Sequence, residues 1–346
     1  MSTLGALLHS TGQRLARAGI ADARLEAELV WMTALDIDRA TLYVELQEEP
    51  PASGADTAEA LIVRRLRREP MAYLMGKREF YGLSFHVAPG VLVPRPDTET
   101  LVEEALRLLQ SRGPVPLEVA DVGCGTGIIG ISLAVALPNV HVYAIDIADP
   151  ALEVTTLNAE RLDVSARVTV LKGDLLAPLP GRVDMITANL PYVPSKQVSR
   201  LEPEISLYEP REALDGGDDG LDVVRRLLDD VPRRLSADGW VLLELDPRQM
   251  RRARTIARRP FPAARIVTQL DLTRRERVLI IDTSLAESAS GLALDQEQQP
   301  RAEEHQLHQA NEDLLRDAGD DPAASEAASE HDGADGQANQ EKPQIQ

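Results

Sequence analysis

Leu117-Glu118-Val119-Ala120-Asp121-Val122-Gly123-Cys124-Gly125-Thr126-Gly127-Ile128 is the stretch from which the rest of the chain is read. Its first six residues form a short apolar run, the next five a loop of alternating glycines, and Ile128 to Leu137 continues as an apolar helix. Strand, glycine loop and helix make the first unit of a nucleotide-type α/β sheet, because glycines permit unusual φ and let a ligand approach the backbone. A second strand, Val142-Tyr143-Ala144-Ile145-Asp146, ends in a carboxylate roughly 20 residues after the loop, where an acid can accept both hydroxyl hydrogens of a ribose.

The spacing G-x-G-x-G also fits a dinucleotide fold. Asp121, just ahead of the loop, tips the reading toward a cofactor without pyrophosphate, since an acid there suits the positively charged, amine-bearing end of S-adenosylmethionine better than a phosphate. Cys124 inside the loop has no His or basic partner in the sequence pattern and reads as a small filler residue.

Further βα units follow downstream. Asp149 to Leu162 reads as a helix, and Val168-Thr169-Val170-Leu171 as a strand running into Lys172-Gly173-Asp174. Asp174 at a strand end either accepts from an adenine amino group or caps a turn. The strand Val183 to Ala188 delivers Asn189-Leu190-Pro191-Tyr192, which brings an amide, a proline-stiffened turn and an aromatic plane to one point. That set can hold a flat, nitrogen-bearing substrate group; the alternative is a Pro turn with a packing Tyr. After a loop of about 30 residues come a helix from Gly220 to Leu235 and strands at Trp240 to Leu245, Arg265 to Thr268 and Arg277 to Ile281. The short connection through Arg274-Arg275-Glu276 predicts a closing hairpin on a largely parallel sheet of roughly seven strands.

Upstream, residues 1–75 read as helical. Leu25, Leu29 and Met32 recur at helical spacing behind Asp22, a candidate cap, and a Pro-Pro-Ala-Ser-Gly break at Pro50 to Gly54 precedes an amphipathic stretch from Thr57 to Arg68 carrying Leu61, Ile62 and Leu66. Such a bundle serves as a scaffold or as a docking surface for a partner. Residues 76–96 change to alternation and turns, a β-hairpin linking two domains that holds Phe80 and Phe85. Val93-Pro94-Arg95-Pro96-Asp97-Thr98-Glu99 then starts a helix with Leu101, Val102 and Ala105 along one side, and Arg95 and Asp97 either sit in a solvated turn or line a cleft.

The chain has 346 residues and a net charge of −19. From Ser284 onward, 15 acidic residues face Arg301, Arg316 and Lys342, a net −12 that leaves −7 on the rest. A mildly acidic body is a poor grip for a long stretch of nucleic acid, so no extensive nucleic-acid contact is expected. The composition of 284–346 predicts an acidic disordered tail, with a short helix near Glu303 to Leu315. No apolar run approaches a membrane span and no secretory signal is evident, which points to a cytoplasmic protein; the single Cys and six scattered His offer no metal site.

From about Ala23 through Ile281 the chain resembles the PrmC/HemK family of protein-glutamine methyltransferases that act on peptide-chain release factors. The resemblance rests on Ala23-Arg24-Leu25-Glu26-Ala27-Glu28-Leu29, on Glu69 to Gly82, on Val93 to Glu99, on the Asp121 to Gly127 loop, and on Asn-x-Pro-Tyr with Glu209-Pro210 and Ala213 to Leu221. It implies a small helical domain over 1–75, a hairpin linker over 76–96 and a class I, Rossmann-like, seven-stranded methyltransferase domain over 97–283. It further implies that S-adenosyl-L-methionine is bound by Gly123 to Gly127, Asp146 and Asn189, with Asp121, Asp174 and Leu175 beside them. The implied substrate is the glutamine of a Gly-Gly-Gln tripeptide in class I release factors, held at Asn189, Leu190, Pro191 and Tyr192, with no oligomer required. Three positions depart from the usual family pattern: Leu190 replaces the first Pro of Asn-Pro-Pro-Tyr, Leu175 replaces an aromatic residue, and Asp246-Pro247 stand where a Gly is common.

Three other functions fit parts of the sequence. An N6-adenine methyltransferase uses the same Asn/Asp-x-Pro-Tyr element on another planar amine, but the acidic body and the linker speak against it. A non-catalytic S-adenosylmethionine sensor would not need Asn189, Pro191 and Tyr192 together. A nicotinamide oxidoreductase is the weakest fit, the loop being read as lacking the G-x-G-x-x-G phosphate fingerprint.

Overall fold

The computed structural model describes residues 2–284; the expected acidic tail and its helix at 303–315 lie outside the described residues. The N-terminal part is built from α1 (Leu4–Arg17), α2 (Ala23–Leu35), α3 (Arg39–Val44), α4 (Ala52–Leu66) and α5 (Met71–Met75). Thr3 caps α1 by accepting the Ala6 amide at 3.3 Å. Asp22 does not cap α2: it sits in the left-handed region at φ 52° and its side chain takes no capping bond. The buried face of α2 also differs from the expected Leu25, Leu29 and Met32 stripe. Because α2 lies between α1 and α4, Ala27, Val30 and Trp31 are buried while Leu25 is 44% exposed. Trp31 completes the packing by donating its Nε1–H to Thr11 Oγ1 at 3.0 Å.

The Pro50 to Gly54 break is shorter than the sequence suggests. Pro51 is the residue before the helix and Ala52, Ser53 and Gly54 already belong to α4. A Cβ at Gly54 would lie 2.3 Å from Leu35 Cδ2, so the glycine is there for the close approach of α4 to α2.

The hairpin is β1 (Lys77–Phe80) paired antiparallel with β2 (Leu83–His86). Tyr81 and Gly82 both have positive φ, at 50° and 72°, which is the two-residue turn whose twist matches paired strands. Phe80 and Phe85 are buried, with ring centroids 6.2 Å apart, edge to face. Val91 to Val93, read with the hairpin, forms no strand and runs instead toward the carboxyl edge of the main sheet. A short 3₁₀ turn at Pro96–Thr98 leads into α6 (Glu99–Ser111), whose Leu101, Val102 and Ala105 are fully buried as expected.

The remainder alternates strand and helix: β3 (Leu117–Val122), α7 (Ile128–Ala136), β4 (Val140–Asp146), α8 (Asp149–Arg161), β5 (Val168–Lys172) and β6 (Val183–Ala188). The stretch up to Asp219, expected as plain loop, contains the one-turn helices α9 (Ser195–Val198) and α10 (Pro203–Ser206). It is followed by α11 (Asp222–Arg234), β7 (Leu235–Glu244), α12 (Met250–Arg258), β8 (Arg265–Leu270) and β9 (Glu276–Asp282). The seven strands lie in the order β5-β4-β3-β6-β7-β9-β8. The first five are parallel and β9 is antiparallel to both neighbours, which is the expected closing hairpin. Alternate strand residues feed two cores: Val119, Val142, Met185 and Leu242 on one face, Ala120, Ile145, Ile186 and Val241 on the other. Such a sheet leaves its carboxyl edge, where β3, β4, β5 and β6 end together, as the place for a ligand.

Candidate active site

A cleft of about 290 Å³ runs along that edge, floored by the loops after β3, β4, β5 and β6 and roofed by Val91, Leu92, Pro94 and Arg95. The glycine loop is shaped by its own hydrogen bonds. Gly123 (φ 70°) and Cys124 both donate their amides to the Ile145 carbonyl, at 2.8 and 3.0 Å, which ties the loop to β4. A Cβ on Gly125 (φ 57°) would meet nothing within 4 Å, so the backbone there is open for a ligand to approach.

Asp146 faces this opening, half-buried. Its Oδ2 accepts the Gly125 amide and its Oδ1 the Ala148 amide, each at 3.0 Å. These bonds fix the carboxylate while leaving each oxygen a further lone pair, which is what two ribose hydroxyls require. Ile147, next in sequence, is 63% exposed and lines the same cleft. Sequence reading missed it, although an apolar residue directly after a strand-end acid is a signal for a flat apolar contact.

The other expected cofactor residues divide. Cys124, Thr126, Asp174 and Leu175 line the cleft with Gly123, Gly125 and Asp146. Asp174 is ion-paired with Arg226 through Oδ2, which leaves its other oxygen as an acceptor on the cleft. Cys124 is buried, its Sγ 3.4 Å from Thr155 Oγ1, and burial pushes its thiol up, which suits a filler. Gly127 does not reach the cleft: it precedes α7 at φ 79°, where a Cβ would come within 2.6 Å of Ile131.

Asp121 is the clearest correction, because it is 0% exposed and points inward rather than toward a ligand amine. Its Oδ2 accepts the Gly130 amide at 2.9 Å and its Oδ1 the Thr187 hydroxyl at 3.3 Å. Burial pushes its carboxyl up to about 7, against the pull of those two bonds. Gly125, Gly127 and Gly130 also satisfy G-x-G-x-x-G, so spacing alone does not exclude a pyrophosphate. The Gly130 amide, however, is already spent on Asp121.

Asn189, Leu190 and Pro191 close one end of the cleft. Asn189 donates its Nδ2–H to Thr98 Oγ1 at 3.2 Å, which turns the amino group inward. Leu190 is buried, and the Cβ that Gly123 lacks would lie 3.0 Å from its Cδ2; the Leu190 carbonyl accepts no hydrogen bond from the described residues. Tyr192 lies outside the first cleft and lines a second one of about 380 Å³. The two share Leu92, Arg95, Asn189 and Ala213, so the Asn-Leu-Pro-Tyr element stands at their junction. Gln249, which sequence reading missed, donates to the Tyr192 carbonyl at 2.8 Å, and Gly220 has room there only because it lacks a Cβ, which would sit 2.1 Å from that oxygen.

Arg95 lines both clefts and is paired with the buried Glu209 at 2.6 Å, which places it in a cleft rather than in a solvated turn. Asp97 pairs with Arg277 at 2.8 Å.

Residues 6–76 match the family model described as the PrmC N-terminal domain, and residues 98–214 the one described as the methyltransferase small domain. The release factor glutamine methyltransferase of Geobacter sulfurreducens is 42% identical over 244 residues, covering 70% of this chain and 84% of that protein. The chain belongs to this family. The enzyme of the same name from Moorella thermoacetica is 42% identical over 260 residues, 74% of this chain and 90% of its own length. That of Koribacter versatilis is 39% identical over 245 residues, 70% and 86% respectively. Release factor glutamine methyltransferases are S-adenosyl-L-methionine-dependent enzymes, and the first cleft fits that cofactor: an open glycine backbone, a carboxylate with spare lone pairs and the exposed apolar Ile147. No helix among the described residues is long and apolar enough to cross a membrane.

Proposed function

We propose that this chain transfers the methyl group of S-adenosyl-L-methionine to the side-chain amide nitrogen of the glutamine in the Gly-Gly-Gln motif of class I release factors. The observation that carries the reading is the junction of two clefts at Asn189, with the amino group of that residue turned away toward Thr98. The first cleft takes the cofactor through Gly123, Cys124, Gly125, Thr126, Asp146, Ile147 and Leu175. The second takes the substrate loop. Asp121 and Gly127 act on the cofactor through the shape they give the glycine loop.

An amide nitrogen is a poor nucleophile because its lone pair is delocalised into the carbonyl. S-adenosylmethionine supplies a methyl already activated on sulfur. What the chain supplies is orientation: Asn189 Oδ1 and the Leu190 carbonyl accept the two N–H bonds of the substrate amide, fix its nitrogen, and draw density onto it as positive charge develops. The carbonyl serves whatever side chain residue 190 carries, so Leu in place of Pro preserves the acceptor. Tyr192 lies against the flat amide and Pro191 stiffens the turn. The proton leaves to water.

The helical part over 1–75 is the docking domain for the release factor, 76–96 the linker and 97–283 the catalytic domain, working in the cytoplasm without oligomerising. Names of relatives at 34–42% identity favour this reading over the nucleic-acid methyltransferase. The test is incubation with methyl-labelled cofactor, a class I release factor, the same factor with Gly-Gly-Ala in place of Gly-Gly-Gln, and total nucleic acid. Label on the first factor alone supports the proposal; label on nucleic acid, or on both factors equally, overturns it.

A further inference from the structure

β6 and β7 run parallel with Ala188 opposite Leu243, so the next residues along, Asn189 and Glu244, emerge side by side. Glu244 is 2% exposed, lines neither cleft, and its Oε2 has no hydrogen-bond partner. A buried carboxyl with an unpaired oxygen is costly, and nothing in the proposed chemistry uses it. Thr98 is fully buried beside it, and because its hydroxyl accepts from Asn189 Nδ2 at 3.2 Å, its own proton is left to be directed toward the Glu244 carboxyl.

A side-chain amide has an oxygen and an amino group of nearly the same shape, so packing alone does not choose which faces a cleft. A threonine hydroxyl has a single proton. When that proton is directed to a carboxylate, the hydroxyl oxygen must accept from Asn189 Nδ2, and Asn189 Oδ1 is left facing the junction of the clefts. With the opposite polarity the Thr98 proton would go to Asn189 Oδ1, and the amino group of Asn189 would confront the amino group of the substrate, donor against donor.

We propose that Glu244, acting through Thr98, is the positioning residue that sets which polar atom of the Asn189 amide meets the substrate. This rests on the glutamine-amide reading given above. Burial pushes the Glu244 carboxyl up to about 7; the neighbouring Thr98 hydroxyl, Arg277 on β9 and the Asn189 amide pull it down, while Asp97 pushes it up, and Tyr192 stands nearby. Arg277 is itself held by Asp97 at 2.8 Å and Asp271 at 3.2 Å, so it does not neutralise Glu244 alone. A protonated Glu244 can donate to Thr98, which frees the Thr98 proton for Asn189 Oδ1. The lock therefore needs the carboxylate, and methyl transfer weakens as pH falls through about 7.

The test uses the full chain, a release factor substrate and the variants Glu244→Gln, Thr98→Val, Thr98→Ser and Asn189→Ala. Glu244→Gln is expected to lower kcat by about 10- to 100-fold, the range for a misdirected buried hydrogen bond, with cofactor Kd and the KM for release factor within about twofold. Wild-type kcat should rise through pH 7 and that rise should flatten in Glu244→Gln. Thr98→Val should behave like Glu244→Gln, and Thr98→Ser should retain activity because it keeps the hydroxyl. An inactive Asn189→Ala beside a Thr98→Val with undiminished kcat and the wild-type pH rise overturns the positioning role, even if Glu244→Gln fails to fold. An active Asn189→Ala overturns the underlying reading of the site and the positioning role with it.

Discussion

Asn189 contributes through direction rather than charge, and removing its side chain leaves the Leu190 carbonyl as a single acceptor. Asn189→Ala should keep most of its cofactor affinity, because the glycine loop and Asp146 are untouched, yet lose methyl transfer by about three orders of magnitude or more. Calorimetry with the cofactor beside a transfer assay separates the two; near wild-type transfer would sink the mechanism. Asp146 is the converse case, since its two oxygens hold Gly125 and Ala148 and also face the cleft. Replacing it with Ala removes charge-assisted bonds of about 1.5–3 kcal/mol, so cofactor Kd should rise roughly 10- to 150-fold. Unchanged affinity would place the ribose elsewhere.

Among the elements, α4 and α10 are joined through Arg65, a buried guanidinium that meets Glu26 of α2 at 2.6 Å and Glu204 of α10 at 2.9 Å. Because α10 belongs to the stretch that walls the second cleft, this clasp ties the N-terminal helices to the substrate side of the site. Arg65→Met leaves Glu26 without its cation and Glu204 with Arg68 alone, at 2.9 Å, a loss of at most about 3–5 kcal/mol. Urea unfolding should show it; a change under 1 kcal/mol would mean the pair merely decorates the interface. The sheet was legible because β3 to β6 announce themselves as apolar runs ending in chemistry, and the hairpin because Tyr81-Gly82 sits between alternating segments. α12 was not: Met250, Ala253 and Ala257 make a small buried stripe amid four arginines. Nor was the working face of α2, since a helix packed on two sides buries more than one stripe. The inward turn of Asp121 and the support of Tyr192 by Gln249 depend on residues far apart in sequence, which no local pattern carries.

At the scale of the molecule, the buried carboxyls make stability depend on pH with a definite sign. Asp121 and Glu244 both have carboxyls pushed up to about 7, above the value near 4 they hold when unfolded. Between those values the folded state holds the extra proton, so the fold loses stability as pH rises from about 4 to 7 and carries the full cost above 7. Three pKa units correspond to at most about 4 kcal/mol per group. Asp219 and Asp271, pulled down to about 2 by hydrogen bonds, act the other way: their contribution is present above about pH 4 and is lost as pH falls toward 2. The expected profile therefore peaks in mildly acid solution and declines toward pH 8. Asp121→Asn should flatten the decline. Its Oδ1 can still accept from the Gly130 amide, while its amino group turns to the Thr187 hydroxyl, whose own proton can go to the Ala120 carbonyl, 3.4 Å away. Urea unfolding of both proteins at pH 5.5 and 8 tests this: equal slopes would show that Asp121 is ionised throughout. In the wild type, the pH range that charges Glu244 for transfer is the range that costs the fold, so activity should still be rising with pH where stability is falling.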